Sequence, residues 1–328
     1  MENFNQNIVI IGAGSIGTAL GNTLVKKREC SVNLLSIEPD VVKSINETRY
    51  NSKYFPKIKL SKFLKATTDD SILEQAEIIF LAIPSNVTVD YAVSMKNIIR
   101  PDAIILNMAK GFSQDQKTIA ESLSAQLPNP ICSFKGPTFA RELVNKLPTG
   151  FTVGSPIKEH EALFTDLFHG TPVHIDFTTD VKGVELLSIL KNIYAISMGI
   201  VDAHFNSPNL RFLFLTKAFN EMRDILLKYG GEENTMFKYC GYGDFGLTAL
   251  NDLSRNRTLG LLIGKGFFTD NISDKVVLEG KIAVNVFCDD FSKAKSRTCN
   301  YPIMSELYKV FNGNYDISTF VNRVINNN

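Results

Sequence analysis

NIVIIGAGSIGTALGNTLVKK, residues 7–27, is the stretch whose reading decides the fold. NIVII at 7–11 is short and apolar at successive positions, which predicts a strand buried on both faces. Gly12-Ala13-Gly14-Ser15-Ile16-Gly17 follows at once, and TALGNTLVKK then reads as a helix. G-x-G-x-x-G is informative only in this setting, after a strand and opening a helix. The glycines permit a tight turn and let a pyrophosphate approach the N–H groups at the helix start. On this reading Gly12, Gly14, Ser15, Ile16 and Gly17 are cofactor-binding positions; a merely structural glycine turn is the rival.

Working outward, further apolar runs are VNLLSI at 32–37, AEIIFLAIPS at 76–85, DAIILNMAKG at 102–111, PICSF at 130–134, GFTVGS at 150–155 and PVHID at 172–176. HEALFTDLFHG at 160–170 has helical character. Strands alternating with helices argue for a doubly wound α/β domain around a parallel sheet. After Asp180, a plausible helix cap, the pattern turns all-helical, with segments near 181–200, 209–228, 258–264, 275–288 and 303–312. The expectation is a Rossmann-like NAD-binding domain over 1–180 and an all-α substrate-binding and catalytic domain over 181–328. The chain of 328 residues is long enough for two cores. The tail VNRVINNN is expected to fray.

Lys plus Arg is 35 against 34 Asp plus Glu, a balance that gives no support for a nucleic-acid or membrane-surface partner. The longest uninterrupted apolar run, Ile78 to Ile83, is far below a membrane span. No basic-then-apolar leader is apparent. Cys30, Cys132, Cys240, Cys288 and Cys299 form no C-x-x-C and read as reduced thiols of a cytoplasmic protein. His160, His169, His174 and His204 lack metal-ligand spacing, so no metal site is expected. Proton transfer then falls to lysine or carboxylate.

Glu38 closes the second strand, where an acidic side chain would accept from the adenosine ribose hydroxyls. That favours NAD over NADP; Lys26, Lys27 and Arg28 offer cations that keep NADP possible. Ligands of open α/β sheets bind beyond the carboxyl ends of the strands. Pro84-Ser85, Lys110-Gly111 and Gly136-Pro137-Thr138-Phe139-Ala140 all fall there. Each has a plainer reading as a solvated loop or a turn, but they converge on one sheet edge.

VKGVELLSILKNIYAISMGI predicts a helix with a buried face through Val184, Leu187, Leu190, Tyr194 and Met198. Lys191 sits at the edge of that face. Burying an ammonium is costly unless it is paired or its pKa falls, and the latter suits a general base. A lone lysine there would ordinarily snorkel to solvent. Asp244, in Gly241-Tyr242-Gly243-Asp244-Phe245-Gly246-Leu247-Thr248, reads either as a functional carboxylate or as a turn residue. Ser254-Arg255-Asn256 is either a helix cap with a surface arginine or a phosphate pocket, Arg255 binding bidentately.

GAGSIGTAL, NSKYFP, LAIPS, AKGF, KGPTFAREL, PTGFTVGS, DVKGVELLSILKNIYAI, GYGDFGLT, LSRNRTLG and VLEG occur in this order over residues 7–312. In these motifs the chain resembles the soluble NAD(P)-dependent glycerol-3-phosphate dehydrogenases. The resemblance implies a catalytic set of Lys191, the general acid–base, Asp244, which orients it, and Lys110, which also contacts substrate and cofactor. It implies substrate contacts at Gly136, Thr138, Thr248, Ser254, Arg255 and Asn256, and cofactor contacts at Pro84, Ala140, Arg255 and Glu279. It further implies a phosphorylated small-molecule substrate, dihydroxyacetone phosphate, with the nicotinamide toward an interdomain cleft, and a homodimer.

The chain departs from the family pattern at Ile16, at Leu187-Ser188, at Ala203-His204-Phe205 and Ser207-Pro208-Asn209, and at Lys217. These departures bear on pocket shape and substrate choice and leave the catalytic positions intact. Two alternatives stand beside the main reading. One is a reductase of another phosphorylated ketone, which a substrate panel separates. The other is a catalytically silent dinucleotide-binding sensor, which would need the glycine loop but no proton-transfer pair.

Overall fold

A computed structural model describes residues 6–25, 30–267, 274–293 and 301–326. The chain divides into two compact units, Met1–Glu185 and Leu186–Asn328.

The first unit is built on eight strands: β1 (Gln6–Ile11), β2 (Cys30–Leu35), β3 (Lys65–Thr67), β4 (Ile78–Leu81), β5 (Ile104–Asn107), β6 (Ile131–Lys135), β7 (Thr149–Gly154) and β8 (Val173–Thr178). Their order is β3-β2-β1-β4-β5-β6-β7-β8. The helices of this unit are α1 (Ser15–Leu24), α2 (Pro39–Thr48), α3 (Ser85–Ser94), α4 (Ile119–Ser124), α5 (Ala140–Val144) and α6 (His160–Phe168). The order reverses at β1, which pairs with β2 on one side and β4 on the other, opening the crevice in which such sheets bind ligands.

NIVII is apolar throughout because the sheet is covered on both faces. Ile8 and Ile10 join one apolar cluster with Leu34, Phe80, Leu106 and Phe134, while Val9 and Ile11 join another with Leu35, Ile79, Leu81 and Ile105. Each such side chain contributes about 1.5–3 kcal/mol on burial.

The sheet departs from the expected all-parallel arrangement at one step: β6 and β7 are antiparallel. The link between Lys135 and Thr149 holds only one short helix, the five-residue α5. The chain turns back at Gly136, where an added Cβ would sit 2.2 Å from Gly150 O. Strand β3 was not expected; three residues carry too little pattern to read.

The second unit contains most of α7 (Val181–His204), followed by α8 (Pro208–Lys228), α9 (Asp244–Leu250), α10 (Arg255–Gly264), α11 (Asp274–Lys293), α12 (Pro302–Asn312) and α13 (Phe320–Asn326). The boundary between the units falls inside α7, whereas the change of sequence pattern falls at 180/181. Helix α7 is long and apolar enough to cross a membrane, but 94% of its apolar window is buried in the structure, as in a core helix. Residues 321–326 do not fray: α13 seats Phe320, Val321 and Val324 in the interior.

Candidate active site

In the first unit the glycine loop is fixed by close backbone approaches. Gly12 adopts φ 109°, its N–H donates to Leu35 O at 2.8 Å, and an added Cβ would lie 2.6 Å from Ala82 O. This residue therefore packs where β1, β2 and β4 meet, in a conformation L side chains rarely adopt. At Gly17 a Cβ would fall 2.0 Å from Gly12 O, so the helix start lies against the turn. Gly14 caps α1, and nothing stands within 4 Å of a Cβ there. Ser15 is exposed and Ile16 half-buried against the core. An open helix N-terminus over a glycine turn fits a dinucleotide pyrophosphate.

Sequence reading missed the brace beneath this loop. Asn51 is fully buried, and its Nδ2 donates to Ala13 O at 2.8 Å and to Thr18 Oγ1 at 2.9 Å. NSKYFP carried only a resemblance, because the partners of Asn51 lie far back in the chain. The same segment supplies Lys53, which forms an ion pair with Glu38, and Tyr54, whose hydroxyl donates to Glu38 Oε1 at 3.5 Å. Glu38 thus stands half-buried with a cation beside it, beyond the end of β2 at Leu35 and directly before α2 rather than closing the strand. Lys26, Lys27 and Arg28 lie outside the described residues.

The expected strand-end positions converge in part. Pro84 caps α3, and a Cβ on Gly111 would lie 2.7 Å from Ser85 Oγ, so the segments after β4 and β5 touch. Lys110 is half-buried beside that contact. Gly136 is buried, and Thr138 Oγ1 is a buried hydroxyl without a hydrogen-bond partner, a polar atom suited to a ligand. Ala140 opens α5, which packs on α1.

In the second unit Lys191 is 3% exposed and Asp244 1%. Lys191 Nζ donates to Asp244 Oδ1 at 2.6 Å and to Thr248 Oγ1 at 2.9 Å, and Thr248 Oγ1 donates to Asp244 O at 2.6 Å. Lys191 does not sit at the edge of an amphipathic face: α7 is buried on nearly every side, and the amine is accommodated by pairing. Nor does Asp244 lie in a turn. One π-helical turn, Tyr239–Gly243, runs directly into α9, of which Asp244 is the first residue and Thr248 lies one turn on. Gly241 permits this, since a Cβ there would stand 2.2 Å from Met236 O.

Ser254 caps α10, its hydroxyl accepting from Arg257 N at 3.3 Å, so the capping reading of this residue is realised. Arg255 is exposed and Asn256 half-buried in the first turn. Helix α10 packs against α9 and crosses α7 with the two backbones touching: a Cβ on Gly260 would lie 1.9 Å from Ile196 O, and one on Gly199 2.2 Å from Arg257 O. Arg257 Nη2 pairs with Asp202 Oδ2 at 2.7 Å, fastening the start of α10 to the end of α7. Arg257 was another omission of the sequence reading. Glu279 is exposed on α11, which packs on α10.

No group of three or more histidine, cysteine or acidic side chains suited to a metal occurs among the described residues. Cys30, Cys132, Cys240 and Cys288 are buried thiols, with Cys132 raised to about 12 by burial; Cys299 lies outside the described residues.

The family model for the NAD-dependent glycerol-3-phosphate dehydrogenase N-terminus matches residues 7–161, and that for the C-terminus of the same enzymes matches 180–322. The chain belongs to the NAD-dependent glycerol-3-phosphate dehydrogenase family. A glycerol-3-phosphate dehydrogenase (NAD(P)+) of Methanothermobacter thermautotrophicus is 38% identical over 262 residues, 79% of this chain and 80% of that protein. One from Clostridium tetani is 32% identical over 310 residues, 93% of this chain and 88% of that protein. The crystal structure of glycerol-3-phosphate dehydrogenase from Coxiella burnetii superposes with a TM-score of 0.86 at 27% identity, covering 98% of this chain and 99% of that one. As a member of this dehydrogenase family the protein is an oxidoreductase using NAD or NADP.

Proposed function

We propose that this protein is a glycerol-3-phosphate dehydrogenase that reversibly reduces dihydroxyacetone phosphate to sn-glycerol 3-phosphate. The buried Lys191–Asp244–Thr248 group is the observation that carries this reading. A sensor that only bound a dinucleotide would have no use for it.

The first unit serves as the cofactor domain, with Gly12, Gly14, Ser15, Ile16 and Gly17 around the pyrophosphate, Glu38 toward the adenosine ribose, and Pro84, Lys110 and Ala140 further along the dinucleotide. When bound, the nicotinamide supplies or accepts the hydride. The second unit serves catalysis. Lys191 donates a proton to the carbonyl oxygen as the carbonyl carbon gains the hydride, and removes it in the reverse direction. Asp244 and Thr248 hold the amine in one orientation. Arg255 and Asn256 anchor the phosphate through charge-assisted bonds at a helix start, with Arg255 and Glu279 also facing the cofactor. Gly136 and Thr138 line the substrate, and Lys110 stabilises the charge that develops on oxygen.

The product is the glycerol backbone that glycerophospholipid synthesis acylates. Balanced charge and buried thiols support a cytoplasmic setting, and the family resemblance supports a homodimer.

The test is loss of nicotinamide absorbance when purified protein meets NADH and dihydroxyacetone phosphate. Turnover with that substrate is expected. Faster turnover with another phosphorylated ketone would favour the related-reductase reading, and no turnover with any would favour the sensor.

A further inference from the structure

We propose that a buried ion pair, Lys135–Glu185, is a positioning device for Lys110. The proposal rests on the role given above to Lys110.

Lys135 ends β6 and Glu185 lies early in α7, and both belong to the first unit. They are 0% and 1% exposed, with Nζ 3.0 Å from Glu185 Oε1. The same ammonium donates to two backbone carbonyls just before Lys110: Asn107 O at 3.0 Å and Ala109 O at 2.5 Å. Glu185 accepts from Asn107 Nδ2 at 2.9 Å on each carboxylate oxygen, and from Ser133 Oγ. Asn107 Oδ1 in turn accepts from Ala109 N at 2.9 Å. The segment 107–109 is therefore gripped through two carbonyls, one amide and one side chain. On the far side of Lys110, Gly111 rests against Ser85.

Stability does not account for this arrangement, because a buried ion pair is often no better than well-packed apolar residues. Geometry does. Only a cation with several donors can satisfy two converging carbonyls and a carboxylate together. The consequence is a backbone at Lys110 fixed before substrate arrives, and misplacement of such a group by about 1 Å can cost about 10²-fold in rate. Glu185 has the complementary task, bridging Lys135, Asn107 and Ser133.

The experiment is a double-mutant cycle of Lys135→Met with Lys110→Ala, reading kcat and KM for dihydroxyacetone phosphate on protein with unchanged far-ultraviolet circular dichroism. Alone, Lys135→Met is expected to lower kcat/KM by about tenfold or more; in the Lys110→Ala background it is expected to add little, since it acts through that lysine. Equal losses in both backgrounds, or turnover within about twofold of wild type, would overturn the proposal. Should Lys135→Met fail to fold, Lys135→Met/Glu185→Gln removes both charges while leaving an amide oxygen for Asn107, and enters the same cycle. If the wild type itself does not turn over this substrate, the proposed reaction fails separately. Hydrogen exchange of amides 107–112 then reads the positioning directly: faster exchange in the variant upholds it, and unchanged exchange refutes it.

Discussion

Lys191 Nζ and Asp244 Oδ1 lie 2.6 Å apart in the interior of the helical unit, joined from α7 to the first residue of α9. A buried charge left alone is heavily penalised, so each group requires the other. Thr248, one turn further along α9, accepts a second hydrogen bond from the amine and fixes its direction. Proton transfer is assigned to this group, and the consequences can be measured.

Arg255→Ala is expected to weaken binding of dihydroxyacetone phosphate by roughly 1.5–3 kcal/mol, the scale of a hydrogen bond to a charged group. Steady-state KM and product inhibition by sn-glycerol 3-phosphate would read it. Equal use of phosphorylated and non-phosphorylated dihydroxyacetone by the wild type would remove the phosphate anchor.

Gly260→Ala tests the crossing of α7 and α10. The added methyl would fall 1.9 Å from Ile196 O, a backbone atom that moves only with its helix. Overpacking of this kind costs about 1–3 kcal/mol, so a lower melting temperature and a lower kcat are expected together. An unchanged melting temperature would mean that the two helix backbones do not touch.

Glu221 carries a pH dependence of stability. Burial raises its carboxyl from 4.5 to about 7, against the opposing pull of Ile303 N, Tyr194 Oη, Met304 N and Lys217. The fold therefore favours the protonated form. Stability from this group is complete below its unfolded value near 4.5 and is lost as pH rises through about 7, on the order of 1.4 kcal/mol per unit separating the two values. Denaturant unfolding across that range should show the decline. Glu221→Gln, less stable at baseline through loss of an acceptor, should flatten it; an identical slope in both proteins would acquit Glu221.

Glu38 is expected to give NADH a higher kcat/KM than NADPH. Because Lys53 pairs with it, Glu38→Gln removes the repulsion toward a 2′-phosphate and leaves the cation in place. The NADPH-to-NADH ratio should rise by about tenfold, equivalent to about 1.4 kcal/mol. A ratio that is already above one in the wild type, or that falls in the variant, would contradict this.

Much of the fold was legible because its signals are local. NIVII, the glycine loop and the helix after it fall within one short stretch, and the runs read at 76–85 and 102–111 contain β4 and β5, both of which are shorter than the runs. Lys191 stood out because an amine in an apolar helix needs an explanation. What escaped reading depends on partners distant in sequence. The apolar run PICSF stops before Lys135, since a lysine ordinarily marks the wet end of a strand, yet Glu185 holds it wholly inside. Asn51 shows nothing in its own neighbourhood of the loop it braces. The antiparallel step at β7 escaped because apolar pattern records no strand direction. Asp244 was ambiguous because glycines beside it suggest a turn, whereas here Gly241 admits a close backbone approach within a π-helical one.

The most direct measurement is kcat for dihydroxyacetone phosphate reduction by Lys191→Ala, on protein whose NADH binding matches the wild type. A fall of about 10²–10⁴-fold is expected if Lys191 is the proton donor. Turnover close to wild type would contradict that role, because the proton would then come from elsewhere.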